Sequence, residues 1–179
     1  MMRIVFFSGL LLLLSCQPSE KQANKVSPFF DLATFFEQEI ESLGTDRPIK
    51  KTILLNDKTE ILNLDRWDPR PELEGFKELH INRPAWRDQY QVDSSFYNDG
   101  GLSRLMYTAI DSSLRIKQVE IDWTTAGEVE EVRVEKYIKN LVVLFHQKLR
   151  YNPGRGYWLW RAQKVPLSKR SEMEIELSY

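Results

Sequence analysis

The sequence predicts an α+β domain built mainly from an antiparallel β meander, with one amphipathic N-terminal helix packed on it. Three observations carry this expectation. Residues 27–43 repeat apolar side chains at helical spacing. Residues 104–179 hold six successive stretches rich in β-branched and aromatic residues. The breaks between those stretches are short and polar, whereas a parallel return needs a crossover of about a dozen residues or more. Neighbouring strands are therefore expected to run antiparallel, in a curved sheet or partly closed barrel.

The first stretch is not read as fold. Met1 to Arg3 is short and positive, and Ile4 to Leu14 is apolar apart from Ser8 and Gly9. That order matches the charged and apolar regions of a secretory signal, and it is shorter than the roughly 20 apolar residues of a spanning helix. The run ends in Leu13-Leu14-Ser15-Cys16, with the only cysteine of the chain. This resembles the lipobox of bacterial lipoproteins. The resemblance covers residues 1–16 and implies cleavage before Cys16, diacylglycerol on its sulfur and an acyl chain on its new amino group. A thiol is nucleophilic enough to take the lipid, and a small residue before it lets the peptide enter the peptidase. Each buried methylene adds about 0.8 kcal/mol, so several chains anchor firmly. In the enteric version of the family, Asp after the cysteine retains the protein in the inner membrane. Gln17 stands there instead, which implies the outer membrane, on a face the sequence leaves open. A lone cysteine leaves no intramolecular disulfide.

The expected organisation is thus a signal peptide over 1–15, a lipidated cysteine and polar tether over 16–26, and one domain over 27–179. The full chain has 179 residues and a net charge of −1. Loss of Arg3 with the signal makes it slightly more acidic. Such a balance offers no basic stripe to displace counterions, which excludes a nucleic-acid partner. A composition that is 42% hydrophobic can fill a core.

Within the domain, Ser27 can cap a helix and Pro28 suits its first turn. Phe29, Leu32, Phe36, Ile40 and Leu43 then form one apolar face, and Gly44 is a natural stop. Glu37, Glu39 and Glu41 read as a solvated face. The segment "KTILLNDKTEILNL" reads as a β-hairpin turning at Asn56-Asp57-Lys58. A short helix is expected over 71–79, weakened by Gly75. Residues 81–101 have no clean period, and Pro84 and Asn98-Asp99-Gly100-Gly101 mark loop and turn.

The later strands can be assigned faces by alternation. Met173, Ile175, Leu177 and Tyr179 point one way, with Glu172, Glu174 and Glu176 opposite. Leu141, Val143, Phe145, Leu149 and Tyr151 share a face, interrupted by Gln147, and His146 shares one with Val142 and Leu144. One strand breaks step. Leu114 and Ile116 are in one phase, while Val119, Ile121 and Trp123 are in the other. A one-residue slip would expose an apolar set, so a β-bulge is expected near Lys117-Gln118.

No catalytic constellation is legible. Neither His80 nor His146 lies in a zinc pattern, and no nucleophile elbow, Walker loop or dinucleotide motif occurs. Asn152-Pro153-Gly154-Arg155-Gly156 lies between two strands and reads as a turn. No metal or cofactor is expected. Two aromatic groups stand out as ligand-binding candidates. Trp158 and Trp160 share one strand face beside Arg161, and Tyr157 and Leu159 take the other. One face must be core; the other can stack on a ligand. Trp86 sits between Arg83 and Arg87, either pinning a loop to the core or binding.

A helix-covered curved sheet behind a lipobox looks like the carrier and sorting lipoproteins of the outer membrane, whose half-barrel holds acyl chains. The likeness is architectural, and no motif transfers residue by residue. The leading expectation is a non-enzymatic envelope binding or assembly module, held to the membrane by its lipid. The alternative is a carrier of a hydrophobic ligand, and a lipid-anchored hydrolase is third.

Overall fold

The computed structural model describes residues 29–179. The signal, Cys16, the tether, Ser27 and Pro28 lie outside the described residues. Helix α1 (Leu32–Leu43) starts later than the apolar period suggests. Its cap is Asp31, whose carboxylate accepts the Thr34 N–H at 3.1 Å and the Thr34 hydroxyl at 2.9 Å. The preceding backbone is spent elsewhere. Asn82 accepts from the Phe29 N–H and donates to the carbonyls of Phe29 and Phe30, while the Phe30 N–H donates to the Tyr107 hydroxyl. The apolar stripe Leu32, Phe36, Ile40 and Leu43 is buried as its spacing implies.

Strands β1 (Ile49–Leu55) and β2 (Lys58–Leu64) form the expected hairpin, with Asn56 at φ 52° in the two-residue turn. Helix α2 (Arg70–Lys77) follows. The region expected to be irregular contains a 3-10 turn (Pro84–Trp86) and a strand, β3 (Tyr90–Phe96). Only Tyr90 of β3 is buried, so the strand carries no alternating signal. Then come β4 (Leu102–Ala109), β5 (Ile116–Trp123), β6 (Val129–Lys139), β7 (Leu144–Asn152), β8 (Gly156–Lys164) and β9 (Ser171–Ser178). The stretch 140–143 is a turn rather than strand. Asn140 Oδ1 accepts from the N–H groups of Val142 and Val143, which leaves Leu141 and Val142 exposed. The shared faces assigned to Leu141 and Val143, and to Val142 with His146, therefore do not exist; Phe145, Leu149 and Tyr151 keep theirs.

The nine strands form one antiparallel sheet in the order β2-β1-β9-β8-β7-β6-β5-β4-β3. The run β4 to β9 is the expected meander, the unexpected β3 extends it at one edge, and the β1–β2 hairpin adds to its far edge through β9. The sheet stays open, with β2 and β3 as its edges, so it is not a barrel. The bulge falls where the phase break put it. Ile116 opposes Lys136 and Gln118 opposes Glu135, which leaves Lys117 as the extra residue. Leu114, Ile116, Val119 and Ile121 are consequently all buried.

Both helices cover the same sheet face. Phe36 meets Phe76 at 5.5 Å and Tyr151 at 5.1 Å, and Phe76 meets Tyr157 at 5.1 Å, all edge to face. The polar tips of this core are satisfied by helix carboxylates. The Tyr151 hydroxyl donates to Glu39 at 2.6 Å, and Tyr157 donates to Glu72, which also accepts from Lys51 at 2.7 Å. Glu37 bridges to Arg70 and Lys77 of α2. Of the three glutamates read as solvated, only Glu41 is so.

Candidate functional site

Strand β8 divides the aromatic candidates. Tyr157 and Leu159 point into the helix-covered core, and Trp158 and Trp160 stand half-buried on the opposite face. Register extends that face across the sheet. Arg150 and Lys148 of β7 oppose Trp158 and Trp160 on one side, and Glu176 and Glu174 of β9 oppose them on the other. Trp158 Nε1 donates to Glu174 at 2.8 Å, and the Arg150 guanidinium lies 5.8 Å from its ring centre. Trp160 meets the His146 ring at 5.1 Å, and His146 Nε2 lies 2.6 Å from Glu135 Oε1. The two indoles thus sit between a basic strand and an acidic one.

Further along, the same face carries an ionic ladder. Arg133 contacts Glu120 at 2.7 Å, Asp122 at 2.5 Å and also Glu131, and Arg104 contacts Glu120 at 2.9 Å and Asp122 at 2.6 Å. The bond to Asp122 raises the pKa of Arg104. At Arg133 burial opposes the charge, but Glu120, Asp122 and Glu131 outweigh it and the pKa is also raised. A cavity of about 200 Å³ opens between the ladder and the indoles, lined by Arg133, Glu135, Lys148, Arg150 and Trp158 among others. Sequence reasoning missed the ladder: only Glu120 and Arg133 are directly opposed charges in the β5–β6 register, and Arg133 reaches Asp122 and Glu131 diagonally and along its own strand.

Arg161 does not join Trp158 and Trp160. It belongs to the core-facing phase of β8, where its Nε donates to Gln147 at 3.0 Å. Burial lowers its pKa. Trp86 lies on that side too. It tilts against Tyr90 at 6.4 Å, so it pins the loop, and the Arg83 guanidinium covers its ring at 4.7 Å. The four candidates therefore fall into two pairs on opposite faces. Cys16 lies outside the described residues. Among the described residues no three metal-ligating side chains cluster, and no helix is long and apolar enough to cross a membrane.

Comparison with family models, with curated proteins and with solved structures gives no match to this chain.

Proposed function

We propose that the protein is a lipid-anchored envelope protein, held at the outer membrane through Cys16, whose domain is a non-enzymatic binding or assembly module. The observation that carries the module is the indole pair on the sheet face opposite the helices. Trp158 and Trp160 are large and half-exposed, and neither is needed to close the core. Tryptophans of this kind dominate the energy of protein interfaces. The flanking charges define the occupant: a protein segment with cations over Glu172, Glu174 and Glu176, and anions over Lys148 and Arg150. The carrier alternative draws no support from the cavities, since those of about 200, 310 and 380 Å³ are each lined by charged side chains.

Crosslinking and pull-down of the tagged protein from intact envelopes tests the module. A specific protein partner is expected, lost from a folded Trp158→Ala/Trp160→Ala variant, since each interface tryptophan contributes roughly 2 kcal/mol or more. Undiminished capture by the variant refutes this surface, and recovery of lipid without protein reverses the reading in favour of the carrier. The anchor is tested separately. Cys16→Ser is expected to release the protein from membranes or leave it unprocessed; unchanged mass and fractionation refute lipidation.

A further inference from the structure

On the helix-covered side of the sheet, one row does not belong to a hydrophobic core. Reading across the register, Ile116 opposes Lys136, Lys136 opposes Gln147, Gln147 opposes Arg161, and Arg161 opposes Met173. The next inward row on β6, β7 and β8, two residues along each strand, is Val134, Leu149 and Leu159, all buried. Lys136 and Arg161 thus occupy inward positions that neighbouring turns of the pattern fill with aliphatic side chains. Gln147 between them is 5% exposed and is the only buried polar residue of the described core.

Ile116 and Lys136 of this row floor a cavity of about 380 Å³, lined also by Glu78, Arg83, Trp86 and Arg115. Its walls come from the end of α2, the 3-10 turn, the start of β5 and β6. Arg83 and Arg115 are exposed at the mouth, and Lys136 is half-buried in the floor. The site is rigidly built. The Tyr90 hydroxyl donates to the Ile116 carbonyl at 2.9 Å, and the Tyr137 N–H donates to the Arg115 carbonyl at 2.8 Å. Arg83 is held over Trp86.

Three cations, Arg83, Arg115 and Lys136, line the cavity with one carboxylate, Glu78. Among the described residues none of the three has a carboxylate within ion-pair distance, although fourteen such contacts are made elsewhere. Burial lowers the pKa of Lys136, and Arg115, Arg161 and Arg83 push it further down against the opposing pull of Glu78. Gathering like charges in a partly dry cavity is unfavourable unless an anion completes the set.

We propose that this cavity binds a phosphate group, presented as a phosphate ester, with Arg83, Arg115 and Lys136 as its cationic ligands. Phosphate fits better than a carboxylate because its second negative charge answers several cations, and guanidinium forks match its oxygens. The volume leaves room for an organic moiety, to which Trp86 offers apolar surface and Glu78 a hydrogen-bond acceptor. The site lies on the opposite face from Trp158 and Trp160, so it stands or falls independently of the partner surface.

Titration calorimetry of the full chain at constant ionic strength tests the site. The probes are glycerol 3-phosphate and dihexanoyl phosphatidic acid below its micellar concentration. Saturable binding is expected, weakened about tenfold or more by Arg115→Ala or by Lys136→Met, the effect of losing one charge-assisted hydrogen bond. Trp158→Ala/Trp160→Ala is expected to leave it unchanged. Comparable affinity for the two probes marks a soluble ester, and at least tenfold tighter phosphatidic acid marks a lipid headgroup. Without ligand, Lys136→Met is expected to melt no lower than the parent, because it removes an uncompensated cation. Exposed Arg115 serves as the second variant if Lys136→Met fails to fold. Absence of saturable binding by either probe, or binding undiminished in both variants, overturns the proposal.

Discussion

At the scale of single residues, Gly156 is the position least open to change. Its φ is +132°, and a Cβ built there would lie 1.8 Å from the carbonyl oxygen of Leu177. Both elements are backbone, so neither can move aside without opening the β8–β9 pairing. Gly154, two residues earlier, also has positive φ, at +74°, but its Cβ would meet nothing within 4 Å. The pair separates close approach from backbone strain. Gly154→Ala is expected to lose about 1 kcal/mol, the low end of the cost of an alanine in that region. Gly156→Ala is expected to lose about 3 kcal/mol or more, since overpacking against the strand adds to the strain. Urea unfolding of both variants checks this, and equal losses would show that the contact with Leu177 is unimportant. The sequence marks both glycines as turn residues. It does not distinguish them, because the difference lies in a strand more than twenty residues away.

At the scale of elements, the bulge in β5 is the clearest case of sequence dictating backbone. Two apolar pairs out of phase can share a core only if one residue is left out of the pairing, and Lys117 is that residue. Its ammonium donates to the carbonyls of Ser112 and Leu114 at 2.5 and 2.6 Å, closing the β4–β5 turn. Lys117→Ala removes those bonds and the ammonium's placement 5.9 Å from the Tyr137 ring centre, and is expected to cost about 1 to 2 kcal/mol. Deleting Lys117 instead leaves Ile116 and Val119 two residues apart, so a regular strand without the bulge keeps Leu114, Ile116, Val119 and Ile121 on one face. The deletion is therefore expected to cost little more than the alanine variant, about 1 to 2 kcal/mol. Thermal melting of the two variants decides the matter, and a deletion far more damaging than the alanine variant would mean that the bulge itself is needed to close the β4–β5 turn. The other elements were legible in proportion to how strongly one face is buried. Helix α1 and strands β4 to β9 show their period because each buries a stripe. Strand β3 is an edge whose residues after Tyr90 are exposed, so Gln91 to Ser95 look like a loop. Leu141 and Val142 deceive in the opposite sense: apolar residues in an exposed turn extend an apparent strand.

At the scale of the whole molecule, what the sequence conceals is long-range pairing. Short breaks fix the meander, but nothing local says that β1 joins β9 and brings the two ends of the described domain together. The candidate sites follow the same rule. Trp158 and Trp160 are visible as a pair on one strand, whereas Arg83, Arg115 and Lys136 come from separate segments and meet only once the sheet is registered. Long-range convergence also gives the core a collective titration. Tyr90, Tyr107, Tyr151 and Tyr157 are buried on four strands, and burial raises the pKa of each, that of Tyr90 to about 12. Each therefore keeps its proton in the folded state to a higher pH than in the unfolded chain, where the value is about 10. Their contribution is intact below pH 10 and is lost as pH rises through the folded values. The loss approaches roughly 1.4 kcal/mol per pH unit for each tyrosine still protonated, so roughly 5 kcal/mol per pH unit for the four together. A domain of ordinary stability, about 5–15 kcal/mol, exhausts its margin within one to three pH units above 10 on this slope. Because the four hydroxyls share one contiguous core, none can ionise without disturbing the packing of the rest. The expected outcome of an alkaline titration is a single cooperative transition beginning above pH 10, in which absorbance of the buried tyrosinates and loss of far-ultraviolet circular dichroism coincide. Buried tyrosines that ionise one by one while the dichroism stays native would show that the core opens locally around each ring.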